Sequence, residues 1–276
     1  MNLDLAHLAL FTAALILTGC VSGFLAGLLG VGGGIIVVPI LYLLFPALGV
    51  PEEVRMHLAV GTSLATVIPN AITSARSHRQ RGSLDTALLG KLAPPILAGV
   101  VAGSIFGGKS SGTVLIFIFA TIALLVAFYM SFRRDHWIIQ RDLTRSPAWR
   151  IPVALFIGWF SVLMGIGGGT LSVPLLNLFN VDMRRAVGTG AAIGIVIGIP
   201  GLIGFIATGW GNPLLPPFSL GYCSLIGAAM IVPSSMTMVK YGVRVAHSID
   251  PGLLRKLFGA FLSITSVKMY FSAFGG

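Results

Sequence analysis

Residues 27–39 read GLLGVGGGIIVVP, and residues 162–174 read VLMGIGGGTLSVP. A glycine inside a helix costs about 1 kcal/mol against alanine, so three in a row predict a break in the chain at 32–34 and again at 167–169. The half-helix that follows such a break begins with free N–H groups and the positive end of its dipole, with no side chains in the way. That arrangement suits an anion. The candidate backbone donors are Gly32, Gly33 and Gly34 in the first stretch and Gly167, Gly168 and Gly169 in the second. Side-chain donors lie close by in sequence: Thr170 beside the second triplet, Thr62 and Ser63 in AVGTS, Thr189 in AVGTG, and Asn70. The competing use of glycine is close helix packing, which suffices for most of the 36 glycines; for the two duplicated triplets in matching positions the site reading is favoured, with packing as the alternative.

Other chemistry is thinly represented. HExxH, GxSxG, CxxC and a Walker A ending are all absent, so neither an enzyme nor a bound cofactor is expected. Cys20 and Cys223 each lie in an apolar run and read as core fillers, too few for a disulfide framework or a four-ligand metal site. Every Asp and Glu falls near a segment end or in a loop, which argues against a carboxylate proton relay within the membrane. His57 sits near a segment start with Arg184 as its counterpart in the second half, and reads as interfacial.

These donors have to be held by membrane helices. Of 276 residues, 55% are hydrophobic and 9% charged, where a soluble domain carries about 25% charge. Runs such as TVLIFIFATIALLVAFYM (113–130) approach the ~20 residues of a full span and do not alternate as barrel strands would. The fold class is therefore an all-α polytopic membrane protein. Ten apolar segments are expected, at 7–30, 33–46, 56–75, 86–107, 112–132, 150–165, 168–180, 185–207, 217–238 and 252–273. The second, sixth and seventh are short and suggest half-helices or broken hairpins. Asp4, with no Lys or Arg before the first segment, is the wrong pattern for a cleaved signal peptide. The formal charge of +10 sits between apolar runs, where it orients the chain in a lipid bilayer rather than binding nucleic acid.

The two halves repeat each other. Gly30, Gly32, Gly33, Gly34 and Pro39 map onto Gly165, Gly167, Gly168, Gly169 and Pro174 at a constant offset of 135. AVGTS at 59–63 answers AVGTG at 186–190, which lacks the terminal serine. The domain reading is an N-terminal repeat (1–132), a cytoplasmic linker (133–149) and a C-terminal repeat (150–276). Arg76, Arg79 and Arg81, the arginines of the linker, the Arg184–Arg185 pair, and Lys240 with Arg244 put their loops inside. The halves then run in opposite directions, with both termini outside. Inverted-topology repeats with glycine-broken helices are the signature of many secondary transporters, whose sites lie between the repeats.

The paired blocks resemble the TauE/SafE family of membrane proteins, the sulfite exporter-like permeases, across nearly the whole chain. The resemblance implies a permease of the bacterial-type inner membrane that exports small sulfur-containing anions, such as sulfite or organosulfonates, by alternating access. It places the family motif on the two glycine triplets with Pro39 and Pro174, and on Gly61, Thr62, Gly188 and Thr189. A channel-like pore, a carrier of another small organic anion and a non-transporting scaffold remain as alternatives, and a homodimer stays open.

Overall fold

The computed structural model describes residues 5–29, 32–132, 147–245, 259–260 and 263–271. Expectations resting on Gly30, on most of the central linker and on much of the last segment lie outside these residues. The described chain is helical almost throughout. It comprises α1 (Leu5–Leu29), α2 (Gly34–Leu44), a 3₁₀ turn (Phe45–Leu48), α3 (Glu52–Gln80), α4 (Thr86–Lys109) and α5 (Gly112–Phe132). These are followed by α6 (Pro147–Leu163), α7 (Gly168–Leu178), α8 (Met183–Gly209), a two-residue hairpin of β1 (Ser219–Leu220) and β2 (Cys223–Ser224), and α9 (Leu225–Val245). Residues 263–271 are again helical.

The expected breaks are present, slightly displaced. Gly32 and Gly33 adopt left-handed φ of 74° and 78°, a conformation glycine reaches at little cost, and Gly33 caps α2. In the second half the left-handed residue is Gly165 (φ 61°), and α7 starts directly at Gly168. Gly34, Gly168 and Gly169 thus belong to the first turns of the half-helices rather than to the breaks. The ninth segment also differs from expectation: α9 begins at Leu225, not 217, because Phe218 (φ 61°) and Gly221 (φ 51°) fold the intervening residues into the small hairpin.

Helices α3, α4, α5 and α8 are long and apolar enough to cross a membrane, and large apolar side chains on α4 and α5, among them Leu97, Val101, Ile105, Phe117, Leu125 and Phe128, point outward. Such a belt is stable only against lipid. α3 and α8 pack on each other at the centre, running antiparallel, and α3 is the most enclosed. The halves interlock around this pair. α1 lies along α9 and α6 lies along α4, so each half's first helix is seated on the other half's fourth. Glycines make both seats possible: a Cβ on Gly23 would collide with the Ser235 backbone, and one on Gly158 with the Ile96 carbonyl.

Candidate functional site

The two breaks meet. A Cβ on Gly32 would stand 2.9 Å from Gly167 Cα, so the uncapped N-termini of α2 and α7 approach with no side chain between them. Gly34 abuts the Gly165 carbonyl, and Gly165 packs on Val60 of α3. Gly168 is held against α8, where a Cβ would lie 2.5 Å from Gly194 N and 2.6 Å from Gly190 O. Both 11-residue half-helices therefore start deep in the bundle, against the middle of the crossing helices. The first N–H groups of each have no side-chain cap, and two positive dipole ends share one small volume.

Ser63 ties the junction together, donating to Gly165 O at 2.7 Å and to Gly34 O at 3.4 Å. It heads a buried polar stripe along one face of α3 that continues through Thr66, Asn70 and Ser74. Asn70 Oδ1 accepts from Ser235 Oγ of α9 at 3.0 Å, while Asn70 Nδ2 and Ser74 Oγ are buried without a partner. An orphaned buried amide costs about 1–3 kcal/mol, a cost that persists where a ligand uses the donor. A Cβ on Gly194 would meet Ala71 Cβ at 3.0 Å and Gly168 N at 3.3 Å, which sets Asn70's neighbour and the start of α7 around one point of α8. At the repeat offset of 127, Ser63, Thr66, Asn70 and Ser74 correspond to Gly190, Ile193, Ile197 and Gly201. One central helix presents donors where the other presents apolar surface.

Of the residues expected at the site, the structure gathers Gly32, Gly33, Gly34, Ser63, Gly167, Gly168 and Gly169 at the junction, with Thr170 buried in the first turn of α7; Asn70 lies two turns along α3 from Ser63, bonded to Ser235 of α9. Thr62 and Thr189 do not join them. They lie on opposite sides of the junction, each bonded to the cap of a helix in the other half. Thr62 Oγ1 accepts from Ser224 N–H at 2.9 Å, before α9, and Thr189 Oγ1 accepts from Asp85 N–H at 3.2 Å, before α4. The glycine ahead of each threonine makes room for the incoming loop: Gly61 against the Tyr222 carbonyl and Gly188 against the Ser83 carbonyl. Asp85 and Ser224 then cap their helices alike, accepting from Leu88 N at 2.9 Å and Gly227 N at 3.2 Å. Among the described residues, the Asp85 end carries an ion pair, Arg185 to Asp85 at 2.5 Å, that the Ser224 end lacks.

His57, read as interfacial, is instead buried, with its ring stacked on Tyr222 and Nε2 at 2.9 Å from Ser110 O. The reason is the hairpin, which folds back over the start of α3. Asp85, Ser224, Ser235 and Ser74 are functional candidates that sequence reasoning missed. A signal existed for the first two: each precedes an apolar run as an N-cap, and each is followed nine residues later by a proline, Pro94 and Pro233. The cysteines behave largely as expected. Cys223 is buried beside the Ser224 cap, and burial pushes its thiol up to about 11. At pH 7.5 it stays almost wholly protonated and should react with maleimide far more slowly than an exposed cysteine, the rate rising about tenfold per pH unit below the pKa; mass spectrometry of labelled protein measures this.

A membrane-embedded helical bundle whose broken hairpins meet at its centre defines an integral membrane transporter, and the known proteins it resembles agree. The chain belongs to the family described as "Sulfite exporter TauE/SafE", whose model matches residues 15–269. A "probable membrane transporter protein" of Haemophilus influenzae is 35% identical over 262 residues, covering 94% of this chain and 98% of its own. A protein of Methanocaldococcus jannaschii described in the same words is 27% identical over 261 residues, covering 92% and 94%. No solved structure matches.

Proposed function

We propose that the chain exports small sulfur-containing anions across a bacterial-type cytoplasmic membrane, by alternating access between two inverted repeats that meet at the glycine junction. The observation that carries this reading is the approach of two uncapped half-helix N-termini, Gly32 against Gly167; an amide donor that the protein leaves unused, Asn70 Nδ2, lies two turns along α3 from Ser63 of that junction. Two positive dipole ends at one point repel until an anion lies between them. The N–H groups of Gly32–Gly34 and Gly167–Thr170, with Ser63 and Asn70, are the proposed ligands.

Inverted repeats are supported by the matched docking of Gly61–Thr62 and Gly188–Thr189 on opposite sides of the junction, and by the exchange of α1 and α6 between halves. Arg76, Arg79, Arg81, Arg184 and Arg185 cluster at the Asp85 end, which we assign to the cytoplasm; both termini then lie outside. Export needs no coupled ion, since an interior-negative potential drives an anion outward with about 2.3 kcal/mol per charge for each 100 mV.

The uneven walls favour organosulfonates over sulfite. Asn70 bonded to Ser235 forms a polar wall, and the corresponding positions in the other half, Ile197 and Ile96, are buried and apolar. A sulfonate on a short carbon body satisfies both walls, whereas a compact oxyanion satisfies one. Flux into or out of proteoliposomes loaded with sulfite, sulfoacetate, sulfate or chloride tests this. Saturable flux with sulfoacetate preferred, accelerated by an imposed potential and absent for chloride, is the expected result. Non-saturating flux of all four would make the junction a channel filter, and no flux of any would overturn the cargo assignment.

A further inference from the structure

The Gly-Thr dipeptides of the AVGT blocks each dock the cap of a helix from the opposite half, in the same way on the two sides of the junction. Thr62 binds the N–H of Ser224 and Thr189 binds the N–H of Asp85, each hydroxyl accepting from the cap of a helix in the opposite half. Each threonine is one peptide from the junction. Thr62 precedes Ser63, which bonds Gly165 and Gly34, and Thr189 precedes Gly190, whose Cβ would meet Gly169 Cα at 3.2 Å. A displacement of either half-helix is therefore passed directly to one clamp. The clamps differ in the charge of the capping residue. Asp85 stands where the other clamp has Ser224, and its carboxylate holds Arg185, a pair with no equivalent at the Ser224 end among the described residues.

We propose that Thr62–Ser224 and Thr189–Asp85 are the two gates of the transport cycle, opened one at a time, and that the Asp85–Arg185 pair holds the gate at the arginine-rich end closed more firmly than its counterpart. These are positioning residues, acting on access to the junction rather than on the anion. The proposal rests on alternating access at the glycine junction but on no particular cargo. Arg185 is 60% exposed, so the extra hold is screened and weakens as ionic strength rises.

The test uses full-length protein in proteoliposomes, with Cys20 and Cys223 replaced by alanine and Thr66→Cys as reporter on the polar stripe. A membrane-impermeant maleimide is applied from each side. Joining the inner gate through Thr189→Cys and Asp85→Cys should leave the reporter reactive only from the Ser224 side; joining the outer gate through Thr62→Cys and Ser224→Cys should do the reverse. Reductant should restore both. Asp85→Ser copies the other gate and keeps a capping hydroxyl, so it should raise labelling from the Asp85 side several-fold in low salt, with the difference shrinking in 1 M salt.

Labelling unchanged by either disulfide overturns the gate assignment. Equal labelling of wild type and Asp85→Ser in folded protein, checked by gel filtration, overturns the role of the ion pair. Because labelling needs no cargo, sidedness that switches as expected while no anion is transported would refute the cargo reading and leave the gates standing.

Discussion

Gly168→Ala is expected to cost the protein on the order of 3 kcal/mol and most of its folded yield. The added Cβ meets backbone on two sides, Gly194 N at 2.5 Å and Gly190 O at 2.6 Å, and no rotamer change relieves a backbone clash. α7 would have to leave α8, taking with it the start of the half-helix. Gly33→Ala should be milder. Its left-handed φ of 78° costs about 1–2 kcal/mol for any residue with a Cβ, and its nearest neighbour is Ser22 O at 2.8 Å. Gly82→Ala is the control: φ is 68° and nothing lies within 4 Å, so it carries the backbone strain alone. Thermal unfolding of the three purified variants should rank Gly168 well below Gly33, with Gly82 nearest wild type. An unchanged melting temperature for Gly168→Ala would mean that the contact of α7 with α8 is loose and gives way to the added Cβ.

Asn70→Ala should separate binding from folding. Its Nδ2 has no protein partner, so removing the amide gives up only the Ser235 bond, about 1 kcal/mol in stability. A hydrogen bond to a charged ligand contributes about 1.5–3 kcal/mol, so apparent affinity for sulfoacetate should fall about 10- to 100-fold. Asn70→Asp keeps the shape and the Ser235 acceptor but places a carboxylate beside the anion, and flux should vanish. If Asn70→Ala transports with unaltered affinity, the orphaned donor faces protein or lipid, and the site must be drawn without it.

The architecture was legible because its causes are local. Triple glycine must interrupt a helix wherever it stands, and the short runs at 33–46 and 168–180 are the two half-helices, found at Gly34–Leu44 and Gly168–Leu178. The arginine clusters mark the ends of α3 and the start of α8 without reference to packing. What the sequence left hidden is what depends on the partner half. Thr62 and Thr189 look like ligands when read along the chain, because hydroxyls near a break are candidate donors. Their acceptor oxygens are taken by Ser224 and Asp85, 162 and 104 residues away. His57 looks interfacial until Tyr222 closes over it. The unequal polarity of α3 and α8, by contrast, was present in the missing serine of AVGTG, and the structure extends that single difference to four positions along the helix.

The interlocking of the halves also sets a schedule for synthesis. Gly32 touches Gly167, which is made 135 residues later, and α1 rests on α9, which is made later still. At 5–20 residues per second, the first hairpin waits on the order of ten seconds for the surface that buries its break. During that interval its free N–H groups have neither protein nor anion to satisfy them, and lipid offers nothing. The newborn first half must therefore be sheltered, by the insertion machinery or at the aqueous margin of the bilayer, until the ribosome has delivered the second.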